Sequence, residues 1–287
     1  LTPTTGDNLT FTLAPADFTA GETVTVTVLA TQVADQDGTP NNMAADYVFD
    51  FTIFAPLCGT GTINPIHDIQ GNGATSPLDG TSVIVEAIVV GDFQDYTADP
   101  PNELSGFFVQ EEDADVDADP NTSEGVFVFD GQNPAIDVAV GDKVRVEGKV
   151  DDFGDAPDTL TEIVGPLAIE VCSTGNTLPT PASVTLPVTA LSDYEKYEGM
   201  AVSFAQELTV TEVFTLGRYG DVLLSQGGRL AVPTHAGEPG ASAQAVRNAN
   251  ILRSIVLDDG LTNQNPDPVI YPAPGLSALN TLRGGDT

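Results

Sequence analysis

The chain has 287 residues, enough for two or three domains, and carries 42 acidic side chains against nine basic ones, a formal net charge of −33. Every lysine and arginine lies at Lys143 or later, so residues 1–142 repel phosphate, and nonspecific binding of nucleic acid through that half is disfavoured. The composition, 41% hydrophobic with 28 Gly and 21 Pro, is typical of a folded, loop-rich β protein, and no stretch approaches the roughly 20 apolar residues of a membrane span.

Three alternating segments near the start of the chain predict β-strands, at residues 9–13, 23–29 and 47–53. Turn-rich segments separate them, as in an antiparallel arrangement. Three strands with one apolar face do not close a sandwich core, so we expect further strands before residue 1. Residues 1–57 are therefore predicted to be the C-terminal part of a β-sandwich, within the middle of a longer protein.

A repeat organises the rest of the chain. Residues 79–150 contain four apolar alternations, and residues 198–287 replay their order; the first set reads DGTSVIVEAIVVGDF, SGFFVQE, GVFVFDG and VAVGDKVRVEGKV, and the second reads EGMAVSFAQELTVTEVF, YGDVLLS, GGRLAVP and RSIVLDDG. Each alternation predicts a strand. Gly141-Asp142 has a counterpart in Gly285-Asp286, after which the expected strand is missing. We therefore predict two related domains, 58–175 and 176–287, and expect the chain to end inside the second.

Helical signal is weak in this sequence. A short candidate lies at residues 241–250, and a brief turn is predicted at 191–197. Everything else alternates with period two and is rich in Val, Thr, Ile and Phe. The predicted fold class is all-β.

The two cysteines, Cys58 and Cys172, flank the first copy of the repeat. Both lie in linkers rich in Gly, Ser and Thr rather than in apolar strands. This placement favours a disulfide that ties the beginning of the domain to its end, in a secreted or cell-surface protein. The alternative is a pair of buried free thiols.

Several longer motifs follow one another between residues 66 and 287: IHDIQGNGATSPLDGTSVIVEAIVVGDFQ, LSGFFVQEEDADVDADPNTSEGVFVF, VAVGDKVRVEGKV, LGRYGDVLLSQGGRLAVPT, RSIVLDDGLTNQNPDPVIYP and LSALNTLRGGDT. In this order they resemble the region that precedes the catalytic domain of secreted bacterial nucleases of the endonuclease/exonuclease/phosphatase superfamily. The resemblance implies tandem OB-like barrels, the second truncated, with a metal-dependent phosphodiesterase domain after them. Residues 1–54, which end in AADYVFDFTI, resemble the second half of a bacterial Ig-like domain.

The chemistry of that superfamily is not predicted within this chain. Its members cleave phosphodiesters with an acidic metal site and a His/Asp pair held in an α/β sandwich. The sequence predicts no such sandwich, so we expect no catalytic residue here and place the divalent metal of catalysis in the downstream domain. His67 and His235 lie in separate repeats without H-x-x-x-H, H-E-x-x-H or triad context, and we predict ordinary surface or turn histidines.

The densest group of carboxylates is DADVDADPNTSE at residues 113–124. Oxygen ligands fall at loop positions 1, 3, 5, 7, 9 and 12, the spacing of a calcium-binding loop. These ligands are Asp113, Asp115, Asp117, Asp119, Asn121 and Glu124. Ala118 stands where such loops need glycine, Pro120 follows shortly after, and the flanking segments predict strands rather than helices. A Ca²⁺ site is one interpretation, and a solvated acidic hairpin loop is the other.

The second copy of the repeat contains a set of basic side chains that could contact nucleic acid. OB barrels bind single strands by combining a cationic groove with aromatic stacking platforms. On that ground nucleic-acid contact is predicted for the second barrel, through a set that includes Arg247 and has as its main members Arg218, Tyr219, Arg229 and Arg253. Because acidic residues lie close by in sequence, ion pairing within the chain is the alternative, with the partners Asp221, Asp258 and Asp259.

An aromatic run spans the second and third predicted strands of the first copy. Phe107 and Phe108 are adjacent and should face opposite sides, whereas Phe127 and Phe129 should share a face. Val126 and Val128 would then face the barrel interior. Core packing is the main interpretation of the aromatics, and a stacking platform for carbohydrate or nucleotides is the other.

Three functional interpretations follow from the sequence. The first is a noncatalytic accessory region of a large secreted nuclease, which spaces or orients the downstream phosphodiesterase domain and guides nucleic acid. The second is a matrix, surface or filament subunit that assembles with copies of itself by β-strand addition at open sheet edges. The third is a calcium- or polysaccharide-binding module.

Overall fold

The computed structural model describes residues 21–35, 39, 41–53, 56–94, 103–132, 134, 136–155 and 159–287. Within them the chain forms twelve β-strands and four short α-helices, so the protein is predominantly β, as predicted. No helix in these ranges is long and apolar enough to cross a membrane. The chain divides between Leu57 and Cys58 into two units. The predicted strand at 9–13 lies outside the described residues.

The N-terminal unit contains an antiparallel pair of strands, β1 (Thr23–Val28) and β2 (Tyr47–Thr52), which confirms the second and third predicted strands. A 3-10 turn, Ala30–Gln32, follows β1. Alternate side chains of β2 form an exposed aromatic row on one face, with ring centroids 5.8 and 6.4 Å apart. The row consists of Tyr47, Phe49 and Phe51.

The second unit begins with a helix and five strands that close into a barrel. These elements are α1 (Ile66–Gln70), β3 (Ser82–Phe93), β4 (Gly106–Gln110), β5 (Gly125–Phe129), β6 (Lys143–Phe153) and β7 (Leu160–Ser173). The strand order is β3-β4-β5-β7-β6, and β6 pairs back to β3. Neighbours are antiparallel except β5 and β7, which are parallel. The four strands predicted within 79–150 are confirmed as β3 to β6.

Strand alternation fills the interior of the barrel. In β3, Val83 and Val85 are buried, whereas Ile84 and Glu86 between and beside them are only partly buried. Two isoleucines of α1 pack into the same core and are fully buried. The core residues with no exposed surface include Ile66, Ile69, Val85, Ala87, Val89, Phe107, Val109, Val126, Val128, Val144, Val146, Val150 and Ile163. Each large side chain among them stabilises the fold by about 1.5–3 kcal/mol.

The predicted disulfide between Cys58 and Cys172 is confirmed, with Cα atoms 5.7 Å apart and a sequence separation of 114. It joins the segment that precedes α1 to the end of β7. That segment then runs beside β3, where the Asn64 amide donates to the Ile84 carbonyl at 2.7 Å. The Ile84 amide in turn donates to Asn64 Oδ1 at 3.0 Å. The disulfide therefore fixes this covering segment against the outside of the barrel.

Residues 176–287 are all described and form two small sheets rather than a closed barrel. Their strands are β8 (Ala182–Val184), β9 (Val202–Phe204), β10 (Leu208–Glu212), β11 (Val222–Gln226) and β12 (Ser254–Leu257). β8 and β9 are parallel, and β10-β11-β12 is an antiparallel sheet. The helices are α2 (Leu216–Tyr219), α3 (Pro233–Ala236) and α4 (Ala241–Leu252), with a 3-10 turn at Leu191–Tyr197. The predicted helix at 241–250 and turn at 191–197 are confirmed.

The predicted match between the two Gly-Asp pairs is confirmed by their hydrogen bonds. The Gly141 amide donates to the Val89 carbonyl at 2.9 Å, and the Val89 amide donates to the Asp142 carbonyl at 2.8 Å. Gly285 and Asp286 make the same two bonds with Val210, both at 2.8 Å. In each copy the valine lies where a β-bulge begins. In both copies a Gly-Asp turn therefore bonds to the valine at the bulge of the first strand, an arrangement called here the Gly-Asp closure.

One predicted strand of the second copy is wrong. The segment GGRLAVP, residues 227–233, forms a turn that leads into α3. Gly227 and Gly228 both have positive φ, +72° and +88°, which a strand does not accommodate. Pro233 then occupies the first turn of α3. Backbone N–H groups there have no acceptor within the helix, so the lack of an N–H on proline costs no hydrogen bond.

A close backbone contact joins the barrel to the segment that precedes β9. The Ser123 hydroxyl donates to the Glu198 carbonyl at 2.6 Å, and the Ala201 amide donates to Gln110 Oε1 at 2.9 Å. At this junction a Cβ atom placed on Gly125 would lie 2.4 Å from the carbonyl carbon of Gly199. Only glycine therefore fits at position 125.

The substitution Gly125→Ala is expected to lower the free energy of unfolding by about 1–3 kcal/mol, because the clash is with backbone that cannot rotate away. Gly73→Ala is the matched control, since a Cβ there meets nothing within 4 Å. We expect that control to stay within about 0.5 kcal/mol of the parent in urea titrations. Equal effects at the two positions would contradict the junction.

Candidate functional site

The acidic loop joins β4 to β5, and its carboxylates do not all point to one place. Asp113 accepts hydrogen bonds from the amide and the hydroxyl of Thr180, at 2.8 and 2.7 Å. These bonds hold the pKa of Asp113 below its usual value. Asp119 accepts from the amide of Asn121 at 3.0 Å. Two of the six predicted calcium ligands are thus engaged in bonds of their own.

Asp117 and Glu124 do come together, and His67 joins them. His67 Nδ1 lies 3.1 Å from Glu124 Oε2. The other carboxylate oxygen, Oε1, accepts from the Asp117 amide at 3.0 Å. One nitrogen or oxygen atom from each of the three side chains lies within 4.8 Å of the others. Among the described residues this is the one group of histidine, cysteine and carboxylate side chains that could hold a metal ion.

Elements of the barrel position these three side chains. His67 lies on α1 between Ile66 and Ile69, which are fixed in the core. Glu124 immediately precedes β5, and its carbonyl accepts from the amide of Glu111, which follows β4, at 2.9 Å. The Glu111 carboxylate then accepts from the Ile66 amide at 2.8 Å. The end of the β4-β5 hairpin and the start of α1 are thereby held together.

The site is acidic and largely buried. Burial, together with the nearby charges of Glu124 and Asp115, raises the pKa of Glu111 to about 7, although the hydrogen bond from the Ile66 amide acts in the opposite direction. Burial by itself lowers the pKa of His67. The hydrogen bond and charge of Glu124, with Asp117 and Asp68, outweigh it, so the His67 pKa lies above 6.5.

The prediction of an ordinary surface histidine is wrong for His67, whose side chain is only 14% exposed. No local spacing signals the cluster, because His67 and Glu124 are 57 positions apart in sequence. Its position between two isoleucines of α1 was the only available sign that it faces the protein. His235, by contrast, is exposed at α3, as predicted.

The basic residues of the second copy are mostly engaged within the chain. The Arg218 guanidinium lies 5.1 Å from the centre of the Tyr219 ring and donates to Gln264 Oε1 at 3.0 Å. Arg253 donates to the carbonyls of Gln226, Gly228 and Arg229. Arg253 thus ties β12 to the end of β11. The Arg229 side chain lies against the backbone of Gly284.

The aromatic run divides between the core and an open cleft. Phe107 is fully buried in the barrel core, as core packing predicts, whereas Phe127 is also buried but pairs with Phe108 and faces outward. Phe108 lies on the other side of its strand, with its ring centroid 4.7 Å from that of Phe127. Phe129 shares that outer side and is 42% exposed. The predicted facing of these side chains is confirmed.

These rings line a cleft of about 590 Å³ on the outer face of β4 and β5. Its lining residues are Leu104, Phe108, Phe127, Phe129, Phe153, Leu160, Glu162, Val164, Gly165 and Thr262. Glu162 is only 7% exposed, and burial, with the charge of Asp151, raises its pKa to about 7. No lysine or arginine is among the described residues that line the cleft. This lining therefore suits an apolar or carbohydrate ligand better than the phosphate backbone of a nucleic acid.

No protein-family model matches this chain, and no curated protein sequence is significantly similar to it.

Proposed function

We propose that the chain is a noncatalytic accessory region of a secreted nuclease, in which it spaces or orients a downstream phosphodiesterase domain. In this proposal residues 58–175 are an OB-like barrel, 176–287 belong to a second OB-like domain, and 1–57 belong to an Ig-like sandwich. The observation that carries it is the duplicated Gly-Asp closure, which relates the open sheet of residues 208–257 to the closed barrel.

The barrel itself supports an OB-like assignment. OB domains are five-stranded Greek-key barrels that bind ligands on the face of their second and third strands. Here those strands are β4 and β5, and the aromatic cleft lies on their outer face. The cleft contains the acidic Glu162 and, among the described residues, no basic lining residue, so it disfavours binding of a polyanion. Nucleic-acid contact is therefore proposed for the second copy instead. The exposed pair Arg218 and Tyr219 is the proposed contact.

A disulfide supports the proposed extracellular location. Cys58 and Cys172 pair in the structure, and such bonds persist mainly in oxidising compartments. The charge of −33 agrees with surroundings where counterions screen self-repulsion.

The purified chain is expected to leave DNA and RNA intact in Mg²⁺, Mn²⁺ or Ca²⁺, because in this proposal the catalytic metal site belongs to the downstream domain. Gel assays on single- and double-stranded substrates measure this. Metal-dependent cleavage that survives repurification and is lost on His67→Gln or His235→Gln would contradict a noncatalytic role. The coding sequence downstream of residue 287 is the companion observation, and a metal-dependent phosphodiesterase domain is expected there.

The aromatic cleft favours a second candidate function, a polysaccharide-binding module. Sugar rings stack their apolar faces on aromatic side chains, and the half-exposed Phe129 and Phe153 offer such faces. Glu162 and Thr262 supply polar groups in its lining. This function requires no nuclease domain, so a downstream sequence made only of further β modules would favour it.

A further inference from the structure

We propose that His67, Asp117 and Glu124 form a binding site for a divalent transition-metal ion, with Zn²⁺ as the probe. This site differs from the six-oxygen calcium loop expected from sequence, because it takes a nitrogen ligand from α1 and only two of the loop carboxylates. It is also independent of the proposed nuclease role.

The spacing of the donor atoms fits one ion. Ligand atoms about 2.0–2.2 Å from a single metal lie roughly 3.0 Å apart at octahedral angles and roughly 3.4 Å apart at tetrahedral ones. His67 Nδ1 and Glu124 Oε2 are 3.1 Å apart, within that range. Asp117 offers an oxygen within 4.8 Å of both, on a partly exposed loop. Water would complete the coordination.

The neighbouring hydrogen bonds hold the ligands in place. Glu124 Oε1 is occupied by the Asp117 amide, which leaves Oε2 directed at His67. The Thr122 hydroxyl donates to the Asp117 carboxylate at 3.1 Å, and the Asp119 amide donates to the same carboxylate at 2.8 Å. Such outer contacts orient metal ligands and commonly account for 10–100-fold in metal affinity.

The charge balance of the site also favours a cation. Glu124 is only 4% exposed, and Asp117 lies beside it. Among the described residues, no lysine or arginine lies within ion-pair distance of either carboxylate. Buried carboxylates in excess of their counter-charges are costly, and a divalent ion offsets that cost.

The chemical class of the ion follows from the ligands. Calcium and magnesium take oxygen ligands almost entirely, whereas imidazole nitrogen suits zinc and its first-row neighbours. One imidazole and two carboxylates therefore select Zn²⁺ or Mn²⁺ over Ca²⁺. Between the two, the usual order of affinities places Zn²⁺ above Mn²⁺.

Titration calorimetry of the tag-free protein with Zn²⁺ tests the proposal. We expect one ion to bind per chain, with affinity at least 10-fold weaker in His67→Gln and in Glu124→Gln. His235→Gln is the matched control, since it removes the chain's other histidine, which is exposed, and its affinity should equal that of the parent. Asp113→Asn should also have no effect, because that carboxylate is bonded to Thr180.

Asp117→Asn provides a second test in a partly exposed loop, should the buried Glu124 variant fail to fold. It too is expected to weaken Zn²⁺ binding at least 10-fold, with an unchanged circular dichroism spectrum. Equal Zn²⁺ affinity in the parent and in His67→Gln would overturn the proposal. Displacement of Zn²⁺ by an equal concentration of Ca²⁺, together with loss of binding in Asp113→Asn, would overturn it as well, in favour of the calcium loop.

Discussion

Replacing Cys58 and Cys172 together by serine is expected to lower the free energy of unfolding by about 4–5 kcal/mol. The disulfide closes a loop of 114 positions, so its removal releases the unfolded chain from a long-range constraint. Urea titration of the parent and the double variant under oxidising conditions measures the difference. A loss below about 1 kcal/mol would contradict this account of the bond.

Reduction of the parent provides an independent control for that variant. Dithiothreitol should reproduce the destabilisation without changing any side chain, and it should leave the double variant unaffected. Loss of the disulfide should first loosen the segment that Asn64 and Ile84 hold, because the disulfide fixes that segment to the barrel. Hydrogen exchange at the Ile84 amide would report it.

Raising the pH from 5 to 8 is expected to destabilise the protein, with roughly 2–3 kcal/mol of the change from Glu162 alone. Its pKa rises from 4.5 to about 7 on folding, chiefly through burial, so between these values the folded state binds more protons than the unfolded state. Stability is therefore highest below about pH 4.5 for this group and falls as the pH passes through 7. Glu111 contributes in the same direction, since its pKa also rises to about 7.

Glu162→Gln should remove the contribution of this carboxyl. The fall in the free energy of unfolding between pH 5 and 8 should then be smaller by roughly 2 kcal/mol. The matched control is Glu238→Gln, which removes one negative charge from an exposed position and should leave the decline unchanged. Urea titrations at pH 5, 6, 7 and 8 compare the three proteins. A decline in Glu162→Gln as steep as that of the parent would show that general charge repulsion, rather than this buried carboxyl, causes it.

The strands were predictable because their signal is local. In β6 the alternation of valine with charged residues follows directly from the two-residue period of a strand. The disulfide was predictable because the chain has only two cysteines, which leaves one possible pairing within it. His67 was not, since its contact with Glu124 depends on how α1 meets the β4-β5 hairpin after folding. The carboxyl of Glu162 was missed for a similar reason, because the burial that raises its pKa arises only when the barrel closes.

The Gly-Asp closure has a consequence for unwanted association between chains. An edge strand displays free amide and carbonyl groups that can template pairing with another molecule. β10 is at the edge of its sheet, yet Gly285 and Asp286 occupy both backbone groups of Val210 at the bulge. A neighbouring strand cannot pair through this point without displacing that turn. The second copy thus has a blunted edge even though its sheet is open.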